Sequence, residues 1–283
     1  MNVIQQLSSK KIILPLIPII LIYYYLKRKL DFNYFNDKKI IITGASSGIG
    51  KSISELLSKH TNCELHLLAR SFENSKEGHV NKYKCDCSDY KSLENIFNKM
   101  NGIDIIIHSA GTGDWKFFQE MDINEIQNCL NAPLISAINL THLILPGMLK
   151  NNKGQIVFIQ SPVILQPWRS CTAYSISRWG MRGLSESLRA DLYNTNISIT
   201  EVILGRTNSN YFVSNENADA RFPKIGNIIN RISPEEAAIE VLKSAEKQKK
   251  YTYYPFMMEI VVHLNYLFPS IVRYLTYKTS WHN

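Results

Sequence analysis

A glycine-rich loop placed directly after a β-branched run constrains this chain more than any other feature. Lys39–Thr43 (KIIIT) has the composition of a buried strand. Thr43-Gly44-Ala45-Ser46-Ser47-Gly48-Ile49-Gly50 follows it at once and opens a helical pattern in which Ile49, Ile53 and Leu56 share a face. In such a unit Gly44 permits the tight turn, Gly48 lets the backbone approach a pyrophosphate, and Gly50 lets helix and strand pack closely. The helix N-terminus adds partial positive charge. A strand, a T-G-x-x-x-G-x-G loop and a helix in that order predict a dinucleotide cradle.

The pattern continues. Glu64–Ala69, Val80–Cys85, Ile103–His108, Gln155–Gln160 and Ile197–Leu204 read as strands. Gly48–His60, Tyr90–Met100, Ile123–Leu149, Ala173–Tyr193 and Pro234–Lys247 read as helices, the last with the capping box Ser233-Pro234-Glu235-Glu236. Near-continuous apolar strands separated by helices imply a parallel sheet covered on both faces. The expected fold is α/β, a single doubly wound, Rossmann-like parallel sheet spanning residues 38–250, with a membrane-seeking segment at either end (1–37 and 251–283).

Composition narrows the partners. The 283 residues are 45% hydrophobic and 20% charged, enough for a real core, and carry a formal net charge of +8. That charge is scattered rather than gathered in an arm, so nucleic acid is not the expected partner. Anionic lipid or a phosphorylated cofactor suits it better. Five cysteines (Cys63, Cys85, Cys87, Cys129 and Cys171) form no CxxC pair. They are read as free thiols without a metal site, Cys85 and Cys87 being expected on opposite sides of a strand.

Ile12–Leu26 is an unbroken apolar run flanked by Lys10, Lys11, Lys27, Arg28 and Lys29. As a helix it reaches about 22 Å, short of a ~30 Å hydrocarbon core, and it holds Pro15 and Pro18. With no small residues for cleavage, it reads as an uncleaved anchor, either a short span or a monotopic insertion. The slightly higher basic count after it favours a cytosolic globular domain. Tyr251–Asn283 is rich in aromatics and Met but is interrupted by Glu259, His263, Asn265 and Arg273. It suits either a membrane interface or a dimer-packing surface.

The glycine spacing resembles that of the short-chain dehydrogenase/reductase family, and the resemblance covers roughly Lys38–Ser209. It implies cofactor contacts from Gly44, Ser46, Ser47, Gly48, Ile49 and Gly50. Asp86-Cys87 stands where the family has its adenine-contacting Asp-Val pair, and Ser109-Ala110-Gly111 where it has Asn-Ala-Gly. At the end of the second strand an acidic residue would select NAD; here Ala69 is followed by Arg70 and Ser71, which suit a ribose 2′-phosphate and so NADP(H).

Tyr174 and Arg178 lie four apart on one predicted helix face, thirteen residues after Ser161 at the end of a strand. This is similar to the family's Ser…Tyr-x-x-x-Lys set. The resemblance implies Tyr174 as proton donor and acceptor, Ser161 as orienter of the carbonyl oxygen, and Arg178 as the cation that lowers the phenol pKa and holds the nicotinamide ribose. A phenol near pKa 10 needs such help at neutral pH. Two positions depart from the family: Arg178 replaces Lys, and Pro133 falls where an Asn of the proton relay is expected, with Asn131 two residues away and pointing elsewhere on a regular helix. A nucleotide-binding protein without efficient catalysis is therefore the alternative to an active oxidoreductase.

Leu204-Gly205-Arg206-Thr207-Asn208-Ser209 resembles the family segment that touches the nicotinamide carboxamide, and the polar stretch 210–226 matches its substrate loop, with Tyr211, Phe212 and Phe222 as pocket candidates. An anchor, this core and an aromatic tail together resemble the membrane-anchored 11β-hydroxysteroid dehydrogenase-like branch. That likeness implies a lipophilic ketone or alcohol as substrate, the endoplasmic reticulum as location, and a homodimer.

Overall fold

The computed structural model describes residues 29–98, 100, 102–209 and 218–280. The apolar run Ile12–Leu26 and the pocket candidates Tyr211 and Phe212 lie outside the described residues.

Eight strands form one sheet: β1 (Lys39–Thr43), β2 (Glu64–Ala69), β3 (Ser75–Glu77), β4 (Val80–Lys84), β5 (Ile105–His108), β6 (Gly154–Gln160), β7 (Ile197–Leu204) and β8 (Tyr251–Tyr254), in the spatial order β3-β4-β2-β1-β5-β6-β7-β8. The strand order reverses between β1 and β5, so the crevice of a doubly wound fold lies at their carboxyl ends. The helices are α1 (Gly48–His60), α2 (Tyr90–Phe97), α3 (Ile123–Leu130), α4 (Ser136–Asn151), α5 (Thr172–Asp191), α6 (Ala218–Arg221), α7 (Pro234–Glu246), α8 (Phe256–Leu267) and α9 (Pro269–Thr279).

Alternation along the central strands divides the core. Ile41 and Ile106 join Leu140, Ile144, Met148, Met181 and Leu188 of α4 and α5 in one cluster, while Ile40, Ile42, Ile105 and Ile107 are buried on the other face, where α1 packs against α7. The buried residues of α1 are Gly50, Ile53, Ser54 and Leu57; Ile49 and Leu56 lie at its margin rather than inside.

Four expectations are corrected. The sheet is not wholly parallel: β3 pairs antiparallel with β4 through the two-residue turn Gly78-His79, with Gly78 at φ +59. Its residues Ser75–Glu77 are polar and exposed, so no apolar pattern announces them. The tail does not begin at 251, because Tyr251–Tyr254 adds to the sheet as β8, parallel to β7. Cys85 and Cys87 do not face opposite ways. Residues i and i+2 of an extended chain share a side, and these thiols hydrogen-bond each other. All five cysteines are buried and free.

The fourth correction concerns the long helix expected over Ile123–Leu149. It is interrupted by a π turn at Asn131–Ile135, centred on Pro133, which has no N–H for the i→i−4 ladder. Among the described residues, Ile123–Asn151 is the helix long and apolar enough to cross a membrane. Its Ala137, Leu140, Ile144 and Met148 belong to the core, so the apolarity is explained by packing on the sheet.

Candidate active site

The β1–β5 junction is stitched by one hydroxyl. Buried Thr43 accepts hydrogen bonds at Oγ1 from the backbone N–H of Ser109 (3.2 Å) and of Ala110 (3.1 Å). That brings the two strand ends so close that a β-carbon on Gly44 (φ +66) would stand 2.7 Å from Ala110 Cα. A β-carbon on Gly50 would stand 2.6 Å from the Gly44 carbonyl oxygen, so α1 starts hard against the loop. Ser47 occupies the N-cap of α1 without a side-chain cap bond, which leaves the first-turn N–H groups directed at the cleft. Ser209 lies across this loop, 3.5 Å from where a Gly48 β-carbon would be.

The cleft above these strand ends encloses about 550 Å³. Gly44, Ser46, Ser47, Gly48, Ile49, Arg70, Ser71, Asp86, Cys87, Ser109, Ala110, Gly111, Ser161, Tyr174 and Arg178 all line it, whereas Gly50 packs behind it. Arg70 and Ser71 are exposed just past β2. The Asp86 carboxylate accepts from the Ser88 N–H (2.9 Å) and hydroxyl (2.7 Å), which fixes this turn. Asn139 of α4 anchors the same loop by donating to the carbonyls of Cys87 and Ser88. Their mutual bond holds the Cys85 thiol below its ordinary pKa and, with burial, pushes Cys87 well above it.

Ser161 caps the short 3-10 turn Pro162–Ile164, accepting from Val163 N–H at 3.4 Å. Tyr174 is buried in the first turn of α5, its ring 6.5 Å from that of Trp115. One turn on, the Arg178 guanidinium sits 5.1 Å from the centroid of the Tyr174 ring. Its Nη1 donates to the Ile159 carbonyl (3.0 Å), while Nη2 fills the space above Gly111, 2.4 Å from where a β-carbon there would be. Arg178 Nε is buried with no hydrogen-bond partner among the described residues. An orphaned cationic donor, a glycine-walled cradle and an open helix N-terminus form a donor set that fits a dinucleotide diphosphate and ribose.

Sequence reasoning missed a second layer. Gln160, next to Ser161, donates through Nε2 to the Arg178 carbonyl (3.4 Å) and to Glu201 (3.1 Å). Glu201 is fully buried on β7, with Arg182 Nη1 at 3.6 Å. Burial raises its pKa despite that cation. The signal was present: a carboxylate interrupts the apolar run ISITEVIL. The π turn also changes the position of Asn131. Rather than pointing away, Asn131 and Ala132 line the cleft, and Pro133 is buried. At the far end Trp115, Trp168 and Phe222 complete the lining.

A sheet that switches strand order over a glycine cradle, with a Ser, a Tyr and a cation at its mouth, defines a nucleotide-binding α/β protein of the dehydrogenase type. The sequence matches the short chain dehydrogenase family over residues 38–220, and the chain belongs to that family. It is similar to Hydroxysteroid 11-beta-dehydrogenase 1-like protein B of Xenopus laevis, 25% identical over 271 residues that cover 88% of this chain and 89% of that protein. It is also similar to an NADP-dependent 3-hydroxy acid dehydrogenase of Schizosaccharomyces pombe (strain 972 / ATCC 24843), 28% identical over 224 residues, 72% of this chain and 85% of the relative. Among solved structures, a short chain dehydrogenase from Burkholderia cenocepacia J2315 in complex with NADP shares the fold, with TM-score 0.73 and 17% identity over 86% of this chain and 98% of that one.

Proposed function

We propose that this chain is an NADP(H)-dependent oxidoreductase that interconverts a carbonyl and an alcohol on a lipophilic substrate. The observation that carries the reading is the convergence of Ser161, Tyr174 and Arg178 on the cleft that holds the glycine cradle. Gly44 to Ile49 and the α1 N-terminus would hold the diphosphate, Asp86 and Cys87 the adenine, and Arg70 with Ser71 the 2′-phosphate. Arg178 would hold the nicotinamide ribose. When bound, the reduced nicotinamide supplies the hydride for the carbonyl carbon. Ser161 orients the carbonyl oxygen, and the Tyr174 hydroxyl gives it a proton. Arg178 stabilises the resulting phenolate; its planar fork is braced on Ile159, so its charge stays beside the ring.

Fluorescence titration and turnover on a panel of lipophilic ketones test this. NADPH is expected to bind at least tenfold tighter than NADH, and Arg70→Ala to remove most of that preference, since a charge-assisted bond to phosphate contributes roughly 1.5–3 kcal/mol. Equal affinity for the two cofactors would overturn the assignment of Arg70. NADPH binding with no turnover would favour the catalytically degenerate reading.

A second observation bears on location. The α8–α9 hairpin exposes Tyr266 (86%), Leu267 (65%), Ile271 (58%) and Tyr274 (60%), while Asn265 donates to the Leu165 carbonyl, just past the turn that Ser161 caps. We read this face as lying against lipid beside the cleft. In a chain without the apolar run Ile12–Leu26, Leu267→Asp with Ile271→Asp should remove most of the co-flotation with liposomes while keeping the sedimentation coefficient. Unchanged flotation would overturn the lipid reading, and a dimer that falls to monomer instead would assign the face to a second copy.

A further inference from the structure

Ser161 stands one residue past the end of β6, and Tyr174 lies in the first turn of α5, so the sheet ladder stops short of both. The contacts of α5 with the larger core come later along the helix, at Met181, Leu184 and Leu188. Apolar packing is non-directional. It presses the helix onto the sheet without fixing the gap between two hydroxyls near its end.

Three hydrogen bonds bridge that gap, and they straddle Ser161. Before it, the Ile159 carbonyl accepts from Arg178 Nη1 (3.0 Å), and Gln160 Nε2 donates to the Arg178 carbonyl (3.4 Å). After it, the Val163 carbonyl accepts from Trp179 Nε1 at 2.9 Å. All three reach one turn of α5, just beyond Tyr174. Gln160 is itself held, because its Nε2 also donates to the fully buried Glu201 carboxylate of β7 (3.1 Å).

The turn that Trp179 pins is the turn that orients the Ser161 hydroxyl. Ser161 Oγ accepts from the Val163 N–H, and the Ile164 N–H donates to the Ser161 carbonyl (3.2 Å). Hydrogen bonds hold over a narrow range of distance and angle, so a splice of this kind fixes register as well as contact.

We propose that Gln160 and Trp179 are positioning residues for the reaction: by splicing the Ser161 turn to α5 they set the distance between the Ser161 and Tyr174 hydroxyls, which together hold the substrate carbonyl oxygen. The proposal rests on those two hydroxyls acting on that oxygen. A misplacement of about 1 Å costs on the order of 10²-fold in rate, so loss of one bond of the splice is expected to lower kcat roughly tenfold.

Trp179→Phe and Gln160→Met test it in the full chain, with acetophenone as the ketone. Trp179 is half exposed, so its replacement by Phe removes the donor with little loss of packing. Each variant should lose kcat by about tenfold while its NADPH affinity stays within about twofold of the native value. In a Ser161→Ala background the same substitutions should cost less than about twofold more, since the group they position is gone. A full further loss in that background, an equal loss of NADPH affinity, or native kcat in both variants would each overturn the proposal. So would native kcat in Ser161→Ala itself.

Hydrogen exchange tests the splice without turnover. In Trp179→Phe the Val163 and Ile164 amides should exchange roughly fivefold faster, as expected for one lost hydrogen bond. Unchanged exchange there would overturn the splice. Faster exchange in a chain that binds NADPH but reduces no ketone would uphold the splice and overturn the oxidoreductase reading, and with it the positioning role.

Discussion

Tyr174→Phe is expected to lower kcat by about 10²–10⁴-fold, the range that a positioned general acid contributes, while NADPH affinity and melting temperature stay near those of the native chain. The substitution removes one oxygen from a buried ring whose apolar contacts, including Trp115, remain. Arg178 keeps its bond to the Ile159 carbonyl. Single-turnover NADPH oxidation with saturating ketone separates the chemical step from binding. A variant that turns over at the native rate would remove Tyr174 from the chemistry and require another proton donor in the cleft.

The second large effect is thermodynamic. His108, the last residue of β5, is buried between Thr141 Oγ1 (3.0 Å from Nε2) and the Phe158 ring, and desolvation lowers its pKa to about 3. Unfolded, it would take a proton near pH 6.5, so below that pH the unfolded chain binds the extra proton. The contribution is therefore fully present above pH 6.5 and is lost as pH falls toward 3, at most about 5 kcal/mol in all. His66, also lowered chiefly by burial, acts in the same direction. Between pH 7.5 and 5.0 urea unfolding should show the native chain losing about 2 kcal/mol more than His108→Leu. Equal losses in the two proteins would mean that the imidazole takes up its proton as readily in the folded chain as in the unfolded one.

The glycine loop, the central strands and the positions of Ser161, Tyr174 and Arg178 were legible because each depends on local chemistry: an apolar run, a turn that requires glycine, a four-residue helical interval. What stayed hidden depends on contacts between distant segments. β8 was unreadable because Tyr251 and Tyr253 resemble the aromatic tail they precede, and only Glu186 and Arg182 on α5 show why they belong to the sheet. Three exposed polar residues gave no sign of β3. The wall of Trp115, Trp168 and Phe222 draws on three separate loops, and Asn131 reached the cleft only because a missing N–H at Pro133 widened one helical turn.

The contact between Arg178 and position 111 limits how this chain can diverge. Because Nη2 occupies the space a methyl group on Gly111 would need, alanine at 111 would displace the tip of Arg178 from this pose, whereas a shorter, unforked cation leaves room. The two positions are thus epistatic. A larger residue at 111 therefore requires the guanidinium of Arg178 to swing aside, which would move its charge within the cleft.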